Sequence, residues 1–157
     1  MIAARHVLCT NGVKSVLLEL IPAFERARDA KLAVTWGSTQ ALLKDLETGA
    51  GGDVAILTAE AIDDLTKQGK VKSGSRVDLA RSGIGVAVRK GAKRPDIASP
   101  EALKPYAWIL PSPLQKITIF SGGVLTAAKE ASSAAALLAF LAAEFPRLLN
   151  AKGLEPA

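Results

Sequence analysis

Val7-Leu8-Cys9 runs directly into Thr10-Asn11-Gly12, and from Val13 onward apolar residues return at helical spacing: Val13, Val16, Leu17, Leu20, Ile21 and Phe24. A short apolar run followed by a small polar turn and an i, i+3, i+4, i+7 stripe is the pattern of a buried strand feeding a core-facing helix. The helix is expected from about Gly12 to Arg28, with a kink at Pro22, where a backbone donor is missing. Reading outward, the unit recurs twice. Leu32-Ala33-Val34 leads into Gly37-Ser38-Thr39 and a helix over about Ser38–Glu47, which stops at Thr48-Gly49-Ala50-Gly51-Gly52. Val54-Ala55-Ile56-Leu57 leads into Thr58-Ala59-Glu60 and a helix over about Ala59–Gln68, closed by Gly69. Alternating strands and helices imply an α/β fold: a mainly parallel, twisted sheet of about five strands with helices on both faces.

After Gly74 the pattern changes. Ser75 to Arg81 alternates polar and apolar residues as a half-exposed strand does, and Ile84 to Arg89 reads as a more buried one. Lys90 to Pro95 is a solvated loop. Ser99-Pro100-Glu101 opens a short helix that Pro105 ends, and Tyr106 to Leu114, with Pro111 and Pro113, is an extended connection. Lys116 to Phe120 is a strand, and Ser121-Gly122-Gly123 marks a bulge or a close backbone approach before Val124-Leu125-Thr126. Ala131 to Leu141 is an alanine-rich helix, and a last helical piece with Pro146 near its start runs to about Asn150. The domain reading is one α/β domain over residues 1–157. In it, residues 1–89 hold the three strand–helix units and two strands, 90–115 form a bridge, and 116–157 hold a returning strand and the C-terminal helices.

With 157 residues, 49% hydrophobic and 22% charged, the chain is long and apolar enough to bury a core. Its net charge of +5 comes from scattered lysines and arginines, clustered only at Arg89-Lys90-Gly91-Ala92-Lys93-Arg94. Stacking aromatics are few, so nucleic acid is not the expected partner, whereas a mild positive field draws in small anions. Cys9 is the single cysteine and His6 the single histidine, which leaves no zinc site, no Cys–His nucleophile and no internal disulfide. No segment reaches the roughly 18 apolar residues of a membrane span, so no membrane insertion is expected. Met1-Ile2-Ala3-Ala4 leads straight into the first strand without a signal-peptide pattern. Two placements follow: a cytoplasmic chain, or one whose leader has been removed.

Candidate site residues come from the strand ends. Where a strand's carboxyl end meets a helix amino end, unpaired backbone N–H groups and the positive end of the helix dipole gather, and ligands of such sheets sit there. Three such ends side by side make an anion trap. The candidates are Thr10, Asn11 and Gly12 after strand one, Ser38 and Thr39 after strand two, and Thr58 after strand three, weakened by the repelling Glu60. The Thr10-Asn11 turn and Ser38 also read as ordinary helix caps, and Trp36 as a pocket wall or as packing. No GxGxxG, GxxxxGK or GxSxG pattern occurs, and Asp45, Glu47, Asp53, Asp63 and Asp64 form no acid–base pair. No catalytic residue, metal ligand or cofactor is therefore assigned.

Thr10-Asn11-Gly12-Val13-Lys14 with Leu20-Ile21-Pro22-Ala23-Phe24-Glu25, then Thr35 to Thr39, Gly52 to Leu57 and Val77 to Arg89, resemble the periplasmic solute-binding proteins of the molybdate-binding type. Leu114-Gln115 and Lys152-Gly153-Leu154-Glu155-Pro156 extend the resemblance over nearly the whole chain. It implies two α/β lobes with an oxyanion in the cleft between them, a periplasmic location, an ABC permease as partner, and contacts at Thr10, Asn11, Gly12, Ser38 and Thr39. The chain departs from that pattern between Arg89 and Lys116, where a second lobe belongs and only Lys90 to Gln115 stands. One lobe supplies half the contacts. A micromolar site is worth about −8 kcal/mol, and losing two charge-assisted hydrogen bonds at about 1.5–3 kcal/mol each leaves roughly millimolar affinity. Trp108, Ile109 and Leu110, or a second copy of the chain, would cover the face so exposed.

Three functions are compatible with this reading. The first is a one-lobe solute-binding protein that weakly holds a small oxyanion such as molybdate, or a carboxylate. The second is a non-catalytic dimerising or regulatory domain. The third is an isomerase of small polycarboxylates, for which no acid–base pair is found among the turn residues.

Overall fold

The computed structural model describes residues 4–83, 90–91 and 117–157. The chain forms two compact units, one of residues 1–81 and 119–157 and one of residues 82–118. The expected strand at 84–89, the short helix at 99–105 and the connection at 106–114, with Trp108, Ile109 and Leu110, lie outside the described residues.

Five strands form one sheet: β1 (Ala4–Thr10), β2 (Lys31–Gly37), β3 (Val54–Thr58), β4 (Val77–Ser82) and β5 (Thr118–Val124), in the order β2-β1-β3-β5-β4. β1 pairs in parallel with β2 and β3, as strands joined by helical crossovers do. β5 runs antiparallel to β3, with Thr58 opposite Phe120 and Val54 opposite Val124. That register advances one residue for one across Ser121-Gly122-Gly123, so no bulge interrupts it. The glycines serve close approach instead: a Cβ on Gly122 would meet Leu138 at 2.3 Å, and one on Gly123 would meet Val71 at 2.7 Å.

Helices α1 (Lys14–Arg28) and α4 (Ala131–Leu149) cover one face of the sheet, and α2 (Thr39–Glu47) and α3 (Ala59–Lys67) the other. Alternation along the strands sorts the core accordingly. Val7, Cys9, Val54 and Ile56 point to the α1/α4 side, and Leu8, Ala55 and Leu57 to the α2/α3 side. The first helix does not begin at Gly12. Asn11–Val13 form a 3-10 turn, and α1 starts at Lys14 and passes through Pro22. The expected break near Pro146 is likewise absent: α4 is one helix of 19 residues. Its stripe of Leu137, Leu138, Leu141, Phe145 and Leu149 is buried on both sides of Pro146, and this continuous apolar contact offsets the backbone bond the proline forfeits. α4 with the turn after it is long and apolar enough by composition to cross a membrane, contrary to the sequence expectation, and that same stripe packs into the core.

Two polar clamps fix the frame. Asp53, just before β3, accepts the His6 N–H at 2.9 Å and the Lys129 N–H at 3.0 Å. Arg76 holds Asp78 at 2.8 Å and Asp63 of α3 at 2.8 Å, while the buried Ser121 donates to Asp78 at 2.6 Å. Glu155 pairs with Arg81 through both backbone and side chain, tying the C-terminal segment to β4.

Candidate functional site

The parallel register of β1 and β2 sets Thr10 opposite Gly37, and that of β1 and β3 sets Cys9 opposite Ile56. The residues that leave the three strands, Asn11, Ser38 and Thr58, therefore emerge along one edge of the sheet. At about 4.8 Å per strand the three exits lie within about 10 Å of one another. Each exit is followed within a few residues by the first turn of a helix, whose leading N–H groups have no partner inside the helix.

The six candidates differ in their local roles. Thr10 is buried, 5% exposed, and ends β1; its side chain forms no capping bond to the 3-10 turn. Asn11 and Gly12 are exposed. Ser38 is an exposed N-cap of α2, its Oγ accepting the Ala41 N–H at 3.1 Å. Thr39 opens α2 and is half-buried. Thr58 caps α3 by accepting the Ala61 N–H at 3.4 Å. Ser38 is thus a cap, one of the two roles its position suggested, and Thr58 is a cap as well, but a hydroxyl that accepts from the backbone keeps its own proton to donate outward. The first turns of α1 and α2 carry no acidic residue, whereas that of α3 carries Glu60. Charge at this edge therefore favours an anion beside α1 and α2 over one beside α3.

Two residues at this edge were missed by the sequence reading. A Cβ on Gly12 would lie 2.4 Å from the Phe120 ring, so the glycine makes room for an aromatic side chain from β5 that underlies the turn. The Lys14 ammonium sits 5.2 Å from the centre of the Trp36 ring. Lys14 appeared in the sequence only as the end of the Thr10–Lys14 stretch, and its contact partner lies in another strand–helix unit.

Cys9 and His6 do other work. Cys9 is 0% exposed, and burial pushes its thiol well above the ordinary value, so it is an inert core residue. His6 Nε2 meets Thr35 Oγ1 at 2.8 Å, a contact between β1 and β2. Among the described residues, two cavities open at the opposite edge, near the amino ends of the strands. One of about 490 Å³ is lined by His6, Gly52, Asp53 and Lys129 among others, and one of about 410 Å³ by Glu25, Arg26, Asp29 and Lys31 among others. Each sets carboxylates beside basic residues, Asp53 with Lys129 in the first and Glu25 and Asp29 with Arg26 and Lys31 in the second.

Residues 6–105 match the family model of bacterial extracellular solute-binding proteins. An aconitate isomerase from a Pseudomonas species is 39% identical over 103 residues, which are 62% of this chain and 39% of that relative. The chain thus spans well under half of that curated relative's length. The fold superposes on the periplasmic molybdate-binding protein of Azotobacter vinelandii with a TM-score of 0.75 at 12% identity, covering 98% of this chain and 99% of that one. It superposes on the sulfate-binding protein of Mycobacterium tuberculosis with a TM-score of 0.70 at 14% identity, covering 99% and 87%.

Proposed function

This chain belongs to the bacterial extracellular solute-binding proteins, and on that premise we propose that it holds a small anion, an oxyanion or a carboxylate, where α1 and α2 begin. One observation carries the reading. The Thr10–Gly37 register delivers Asn11 and Ser38 side by side to an edge where neither adjoining helix start carries a carboxylate. Asn11 and Ser38 donate from their side chains, Thr39 from hydroxyl and backbone, Thr10 lines the floor, and Gly12 keeps the turn close to the ring of Phe120. Thr58 is an outlying donor, because Glu60 opposes an anion beside it. The family supports a periplasmic setting and delivery to an ABC permease. If residues 90–115 stand in place of a second lobe, binding is weak, at about the millimolar level, and the face that a second lobe would cover suits a second copy of the chain.

Between the two anion classes, the relative at 39% identity acts by name on aconitate, a tricarboxylate, while the molybdate- and sulfate-binding structures share only the fold. That difference favours a carboxylate. It also motivates a second reading, isomerisation of a polycarboxylate. Such chemistry removes a proton from one carbon and returns one at another, and among Thr10–Lys14, Ser38, Thr39 and Thr58 only Lys14 has a side chain suited to carry it.

Calorimetric titration with aconitate, citrate, sulfate and molybdate tests the binding reading. Saturable binding of at least one, abolished in an Asn11→Ala, Ser38→Gly double variant, supports it. Heats of dilution alone with all four reject it. Incubating the chain with aconitate in D2O and following its C–H signals by NMR tests the second reading: loss of those signals supports isomerase chemistry, and unchanged signals reject it.

A further inference from the structure

Lys14 stands in an unusual place. It is the first residue of α1, at the positive end of the helix dipole, where a cation is electrostatically disfavoured. The first turn of α1 offers it no acidic residue. The salt bridges of the described residues engage Lys31, Lys67, Arg76, Arg81, Arg147 and Lys152, and not Lys14. Its ammonium rests instead over the face of Trp36, 5.2 Å from the ring centre. Trp36 lies opposite Cys9 and two residues before Ser38. The lysine therefore reaches from the turn that carries Asn11 and Gly12 to the strand end that carries Ser38. A cation–π contact at an exposed position is a weak hold, which a carboxylate or oxyanion outcompetes.

We propose that Lys14 is the residue that selects ligand charge: resting on Trp36 in the free protein, it swings to a ligand anion bound between α1 and α2, and so favours anions carrying two or more charges. This rests on the anion-binding reading above. The helix starts supply partial charges and hydroxyl dipoles, which hold one anionic group of any such ligand. Among the described residues, Lys14 adds a full positive charge beside the starts of α1 and α2, and its attraction scales with the ligand's total charge. A citrate or sulfate gains more from it than an acetate does. Because the lysine leaves the indole on binding, ligand occupancy and Trp36 emission are coupled.

The test uses the whole chain, wild type and with Lys14→Met or Lys14→Arg, titrated with citrate, sulfate and acetate at low and moderate salt. Near-coincident thermal melts check that the variants fold, as expected for an exposed side chain. In Lys14→Met, citrate and sulfate should weaken by about five- to tenfold and acetate by less than about twofold, with a shallower salt dependence. Lys14→Arg should retain the preference for multiply charged anions. Citrate should shift the emission of the wild type, and the shift should be lost in both Trp36→Phe and Lys14→Met. If wild type binds citrate and Lys14→Met binds it equally well with the same salt dependence, the proposal for Lys14 is overturned while the site stands. If wild type binds none of the three anions, the site and the role of Lys14 fall together.

Discussion

Asn11 and Ser38 share the proposed site but contribute differently to the fold. Ser38 completes the first turn of α2 by accepting the Ala41 N–H, whereas Asn11 is exposed within a 3-10 turn. Ser38→Ala should therefore lose both anion affinity and about 1 kcal/mol of stability, the usual cost of a missing cap. Asn11→Ala should lose affinity with its denaturation midpoint unchanged. Chemical denaturation run beside calorimetry separates the two, and an Asn11→Ala variant that binds normally would remove Asn11 from the site. Gly12 is constrained from below by Phe120, so Gly12→Ala should destabilise by about 1–3 kcal/mol through overpacking, measurable by urea denaturation. The Gly12→Ala, Phe120→Leu double variant should recover part of that loss. Gly12 was legible only as a candidate ligand contact. That it also makes room for a ring from β5, 108 positions on, was not, because residue type and spacing carry no record of which distant side chain fills a gap.

At the level of elements, the strand–turn–helix units were readable because three local signals agree in each: an apolar run, a small polar cap and a helical stripe. Ser38 and Thr58 cap α2 and α3 at the positions those signals indicate. Direction and continuity were harder. An apolar strand reads the same parallel or antiparallel, so the reversed course of β5 could not be seen in Thr118–Val124. Pro146 signals a break locally, but the buried stripe from Ala134 to Leu149 carries the helix through it. The joints between elements are ionic, which makes stability depend on pH. Glu25, on α1, accepts the Leu32 N–H at 2.9 Å and pairs with Lys31, and these contacts hold its carboxyl below the ordinary value of 4.5. Asp78 is held below 3.8, chiefly by Arg76 and also by the Ser121 hydroxyl. Both carboxylates stabilise the fold fully above those ordinary values, and that stability is lost as pH falls through their lowered folded values. Thermal melts between pH 6 and about pH 2.5 should show this acid loss, and Glu25→Gln and Asp78→Asn should each flatten it. An acid branch identical to wild type in both variants would contradict the assignment.

Across the whole molecule, the sheet has two edges of different character. The amino-end edge is braced by Asp53, whose two oxygens tie His6 and Lys129, and its cavities mix carboxylates with basic residues. The carboxyl-end edge gathers two helix starts free of acidic residues, with Lys14 as a cation beside them. This asymmetry follows from winding parallel strands with helices and is shared in outline by every fold of the kind. What belongs to this chain is the residue set placed there. The central claim is that a small anion occupies that edge, and amide chemical-shift mapping with citrate and sulfate tests it most directly. Progressive, saturable shifts centred on Asn11, Gly12, Ser38 and Thr39, with little change at Asp53, Glu25 or Lys129, are the result expected. Shifts confined to the His6–Asp53–Lys129 edge, or none at either edge at concentrations well above millimolar, would contradict it.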